Sequence, residues 1–132
     1  MTWTSLLEII RDDTYFHLKA KVEAVRNAGT KDEKNRKKAL LPVVTWNGTF
    51  KSKHKNECTV YSSYTALDFD HIEPKDMPAF AGWLQGFSCV YAYFITPGGT
   101  GYKAIIIHDN CEPLYHYDLY EQLLKMFDCP WI

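Results

Sequence analysis

Asp68 and Asp70 stand two residues apart at the end of an apolar run, Ala66-Leu67-Asp68-Phe69-Asp70-His71-Ile72. Side chains alternate along an extended strand, so the two carboxylates point to one face. Two like charges that close repel each other, and a divalent cation is the usual means of keeping both ionised. About thirty residues further on comes Ile95-Thr96-Pro97-Gly98-Gly99-Thr100-Gly101-Tyr102-Lys103. Its glycines can turn with positive φ and expose backbone N–H groups, and Lys103 adds a positive charge beside them. Gly98, Gly99, Thr100, Gly101 and Lys103 are therefore candidates for holding phosphate. Asp68 and Asp70 are candidates for holding Mg²⁺ or Mn²⁺. Metal and phosphate together suit a nucleoside triphosphate.

Both motifs have a plainer reading. Asp often caps a loop or the next helix, and a hairpin turn also needs glycine for positive φ. The turn is neither a Walker P-loop nor a dinucleotide fingerprint, because Ala104-Ile105-Ile106-Ile107 after it reads as a strand rather than a helix. Strand alternation puts Tyr102 and Lys103 on opposite faces. Cation and metal converge only if Lys103 shares the face of Asp68 and Asp70.

The remaining polar residues offer less. His71 alternates away from Asp70, His108 lies five residues after Lys103, and His116 with Asp118 reads as a solvated helix face. No HxxxH or HExxH spacing occurs. Cys58, Cys89, Cys111 and Cys129 form no CxxC pair and fit neither a zinc ribbon nor a disulfide scaffold. Cys89, in an apolar run, reads as a buried thiol. A net charge of −1 rules out a global pull toward nucleic acid. Local contacts would have to come from residues 31–38 or from Lys51, Lys53 and Lys55. Phe69 reads as core, while Tyr91, Tyr93 and Tyr102 are open candidates for stacking bases on a sheet face.

These residues need a scaffold. The chain has 132 residues, 46% of them hydrophobic, enough for one domain with a real core. No signal peptide or membrane-spanning stretch is expected, and the thiols read as cytoplasmic and reduced. Apolar spacing predicts helices over residues 2–12 and 13–28, with Gly29 as a stop. Thr30 and Glu33 resemble a capping box for a third helix through Leu40. Residues 43–46 read as a strand turning at Asn47-Gly48, with Thr49-Phe50 returning and another short strand over 59–62. From Tyr64 the pattern becomes strand 64–70, helix to Gly86 capped by Asp76, strands 88–96 and 102–108, and a helix from Pro113 to about Phe127. Leu119, Leu123 and Met126 are its apolar positions. The reading is α+β. A helical cap (1–42) and a hairpin with a basic loop (43–63) precede an RRM-like, ferredoxin-like βαββα core (64–132) whose last strand is missing or barely begun. The chain reads as a fragment of a longer protein.

Lys38-Ala39-Leu40-Leu41-Pro42, Thr45-Trp46-Asn47-Gly48-Thr49-Phe50, the Asp68–Asp70 motif and the glycine turn, in that order, resemble the N-terminal domain found with VirE-type helicases in Bacteroidetes mobile elements and phages. That domain is similar to the primase–polymerase core of the archaeo-eukaryotic primase superfamily. The resemblance implies nucleotidyl transfer, with Asp68 and Asp70 on metal and Gly99, Gly101 and Lys103 at the nucleotide phosphates. It also implies a third acid, for which Asp128 is the candidate, DNA or RNA as partner, and a helicase domain in the same longer protein. A lysine stands where primases usually carry histidine. The alternative is a non-catalytic module binding nucleic acid or a protein partner on the same fold.

Overall fold

The computed structural model describes residues 2–12, 17–52 and 58–128. They divide into two compact units, Met1–Val44 with Pro97–Gly99, and Thr45–Thr96 with Thr100–Ile132. No described helix is long and apolar enough to cross a membrane.

The first unit carries three helices. In α1, Trp3–Arg11, the Thr2 hydroxyl accepts from the Ser5 N–H at 3.1 Å, a side-chain N-cap. Helix α2 is Leu18–Arg26. It ends at Arg26, two residues short of the expected end at residue 28, and residues 13–16 of the expected helix lie outside the described residues. Helix α3 is Lys31–Lys38, short of the expected end at Leu40. Thr30 caps it by accepting from the Glu33 N–H at 3.1 Å. The Glu33 side chain reaches back to the Gly29 N–H at 3.2 Å rather than to Thr30, one residue off the reciprocal box. Lys37, 2.9 Å away, and that amide hold the Glu33 carboxyl below its ordinary pKa.

The second unit carries two antiparallel sheets. Strands β1, Gly48–Phe50, and β2, Cys58–Tyr61, form the smaller one. The expected strand over 43–46 is absent: Trp46 and Asn47 form a turn and Gly48 already belongs to β1. Gly48 is needed for close approach, because a Cβ there would collide with the Val60 carbonyl oxygen.

The larger sheet has order β3-β5-β4, with β3 Tyr64–Phe69, β4 Val90–Ile95 and β5 Tyr102–Ile107. Helices α4, Met77–Gln85, and α5, His116–Met126, each follow a single 3-10 turn. Strand, helix, strand, strand, helix is thus the observed order, and the unit is α+β. Leu67 and Phe69 of β3 and Tyr102, Ala104 and Ile106 of β5 meet Phe80, Leu84, Leu123 and Phe127 in one core. Phe80 is fully buried and stacks on Tyr102 at 5.7 Å. Removing such a ring costs about 3–5 kcal/mol.

Three expectations fail here, those for Asp76, Met126 and Cys89, and the open choice among the tyrosines narrows, for local reasons. Asp76 precedes α4 but makes no capping bond, because its backbone is already helical at the end of the 3-10 turn, whereas a cap needs extended φ/ψ. Met126 is 48% exposed and Phe127 is buried instead; four residues after Leu123, Phe127 is the next inward position. Tyr102 lies in the core and Tyr93 packs against it, which leaves Tyr91, 40% exposed, as the one stacking candidate still accessible. Cys89 is only partly buried; it packs against the core, and burial pushes its thiol pKa up.

Candidate phosphate and metal site

Antiparallel pairing of β3 with β5 sets Asp68 directly opposite Lys103. Opposite residues share a face, so both stand on the side turned away from the core that holds Leu67, Phe69, Tyr102 and Ala104. The Lys103 Nζ lies 3.5 Å from Asp68 Oδ1, with the side chains 34% and 55% exposed. Across β5, Phe94 of β4 completes the row. An exposed ion pair of this kind adds little stability, between about 0 and 1 kcal/mol. Its members remain open to a competing ligand.

Asp70 follows the last residue of β3, and continuing the register sets it against Gly101. Gly101 is buried and has no room for a side chain. A Cβ would collide with the Phe69 carbonyl oxygen and lie 3.0 Å from Asp70 Oδ1. Backbone bonds fix this corner: Ile72 N–H donates to Thr100 O and Thr96 N–H to Gly101 O, each at 2.9 Å. Exposed His71 then leaves the strand with φ 60, a left-handed conformation that turns the chain sharply after Asp70.

Asp68, Asp70, Thr100, Gly101 and Lys103 therefore fall within one unit, at one end of one strand pair. The other candidates separate. Gly98 and Gly99 belong to the helical unit. Asp128 is exposed after α5, and no three His, Cys, Asp or Glu side chains among the described residues gather as a metal-binding group. Lys51 is exposed, while Lys53 and Lys55 lie outside the described residues. Two carboxylates suit Mg²⁺, which is commonly held by one or two carboxylates together with substrate phosphates.

In the helical unit the turn has cationic neighbours that glycine spacing alone did not single out. Arg26 Nε donates to the Pro97 carbonyl at 3.3 Å. Lys38 Nζ lies 3.8 Å from where a Cβ on Gly98 would be. Their common sequence trait is a place in the last turn of a helix.

A second polar cluster sits at the opposite end of the β3–β5 pair. The Tyr61 hydroxyl accepts from Asn110 Nδ2 at 3.1 Å and lies 2.6 Å from His116 Nδ1. Asn110 is oriented by Glu112, whose N–H donates to its Oδ1 at 3.1 Å. The hydroxyl donates to His116 Nδ1 when the imidazole is neutral with its proton on Nε2, and accepts from Nδ1–H in the other tautomer. His116 is not the solvated residue expected from its place in the helix. Burial pushes its pKa below the ordinary value, and neighbouring His108 adds to this. Burial lowers the pKa of His108 as well, against the opposing effect of the backbone at Tyr64 and Asn110 and of the Asp109 charge.

No curated protein and no solved structure matches the chain. Residues 35–125 match the model of the BT4734-like N-terminal domain, a span that runs from within α3 through β3, the glycine turn, β5 and most of α5. The match covers well over half of the chain, which therefore belongs to the BT4734-like N-terminal domain family.

Proposed function

We propose that this chain is a primase–polymerase-like domain with an RRM-like core, which binds a nucleoside triphosphate together with Mg²⁺ or Mn²⁺ and serves replication of a mobile element or phage. The observation that carries the reading is the juxtaposition of Asp68 and Lys103 on one exposed sheet face, 3.5 Å apart, with Asp70 two residues on. An ion pair of exposed side chains exchanges readily for a metal–phosphate pair of the same polarity. Asp68 and Asp70 would hold the cation, and Lys103 would bear on a phosphate oxygen as a point charge. A bound divalent ion supplies charge neutralisation at the phosphates.

Calorimetry with ATP, with and without Mn²⁺, tests this. Binding that strengthens when Mn²⁺ is added is the expected result, and binding that Mn²⁺ leaves unchanged, or absent binding, overturns it. A second reading is a binding module without nucleotidyl transfer, favoured because no third carboxylate gathers with Asp68 and Asp70 among the described residues, where the resemblance to primases implies three. Its mark is metal-independent binding of a single-stranded oligonucleotide. If Lys51, Lys53 and Lys55 contact its phosphates, changing all three to Ala lowers the salt dependence by about one unit of slope for each lost contact. An unchanged slope assigns these lysines to solvent.

A further inference from the structure

The helical unit has a polar arrangement of its own, built from α2, α3 and the Pro97–Gly99 segment. Arg26 ends α2 and Lys38 ends α3. Cations in a last turn offset the partial negative charge of a helix C-terminus. That role places no demand on the residues facing them. Here the facing residues are two glycines. Gly99 has φ +84, and a Cβ on it would lie 3.2 Å from Arg26 Nε. The N–H groups of Gly98 and Gly99 donate to no other described residue. A guanidinium, an ammonium and backbone N–H groups thus meet at a turn without side chains. Arg offers directional N–H groups, Lys a point charge, and adjacent amides a concave donor set; together these are the elements of phosphate recognition.

We propose that Arg26, Lys38 and the Gly98–Gly99 turn form a phosphate-binding site. The inference rests on the nucleotide reading above only for the kind of molecule that carries the phosphate, taken here as a triphosphate. Arg26 lies outside the matched span 35–125, so the family match does not assign it.

The test is calorimetry of the full chain with inorganic tripolyphosphate in the presence of a chelator. Wild type is expected to bind. Changing Arg26→Ala together with Lys38→Ala should weaken binding by at least about ten- to a hundredfold, the loss expected from one charge-assisted contact. Arg26→Lys keeps the charge without the planar donors and should fall between. Lys31→Ala with Lys34→Ala removes the same charge from the same unit and should bind as wild type; circular dichroism establishes that each variant is folded. The proposal is overturned if wild type does not bind, if the Arg26/Lys38 variant binds equally well, or if the Lys31/Lys34 variant loses as much. Two further arms separate its failure from that of the nucleotide reading. If Asp68→Asn with Asp70→Asn removes Mn²⁺-dependent ATP binding while the Arg26/Lys38 change leaves tripolyphosphate untouched, the nucleotide reading stands and this site falls. The converse pattern keeps this site and removes the nucleotide reading. Loss of affinity for a single-stranded oligonucleotide alone overturns the triphosphate assignment.

Discussion

The two ends of the β3–β5 pair carry polar clusters of opposite character. At one end Asp68 and Lys103 are charged, exposed and paired with each other at 3.5 Å. At the other, Tyr61, His108, His116 and Asn110 are partly buried and neutral, and burial displaces the pKa of both histidines downward. The difference separates recognition from structure. A charged pair in contact with water gives the fold little and can exchange partners. A buried neutral network holds parts of the fold together, and leaving one of its groups unpaired is costly.

The largest effect expected at the charged end is on ligand binding. Asp68→Asn with Asp70→Asn should abolish Mn²⁺-dependent nucleotide binding and leave the melting temperature unchanged or slightly raised, since a like-charge repulsion is removed. An unfolded variant, or unchanged affinity, would place these carboxylates among the structural groups and break the contrast.

Lys103→Ala sharpens it. Triphosphate affinity should drop by about ten- to a hundredfold, the worth of a charge-assisted contact. Stability should change by less than about 1 kcal/mol, because the ion pair with Asp68 is exposed. A nucleoside without phosphates should bind both forms alike. Equal triphosphate affinity would show a lysine that merely reaches solvent.

At the neutral end the order of effects reverses. Tyr61→Phe leaves His116 Nδ1 without the hydroxyl and Asn110 Nδ2 with only its bond to the Glu112 carbonyl, and should cost about 1–3 kcal/mol in urea denaturation. Nucleotide binding should be untouched. A stability equal to wild type would mean that water replaces the hydroxyl without loss.

The smallest effect is one of pH. Both histidines have folded pKa values below that of the unfolded chain, about 6.5. Their contribution is therefore complete above the unfolded value and is lost as pH falls through it toward the folded values, where the unfolded chain binds more protons. The urea midpoint should fall between pH 8 and pH 5.5, and His108→Asn with His116→Gln should flatten that dependence. The same slope in the double variant would assign the protons elsewhere.

What could be read from the residues follows from local composition. Runs of β-branched, aromatic and apolar residues from Tyr64 to Phe69 and from Tyr102 to Ile107 located two strands to within a residue. The hairpin did not follow. Asn47-Gly48 carries the strongest short-range turn signal, yet Gly48 is a strand residue held by a clash that only a partner 12 positions away, Val60, creates. His116 likewise looks solvated from its helix, and the residue that takes its Nδ1 is 55 positions earlier.

The chain's own pattern thus determined that Asp68 and Asp70 end a strand, that Lys103 opens another, and that glycines join it to its neighbour. Those are local matters of alternation and backbone freedom. Tertiary structure decided the register that sets Asp68 against Lys103 rather than against Tyr102. It also decided that Gly98 and Gly99 lie with Arg26 and Lys38. A register shift of one residue would have put the lysine on the opposite face, and nothing within either strand forbids it. The constraint is burial of Leu67, Phe69, Tyr102 and Ala104 against the helices, a non-local interaction that no single segment encodes.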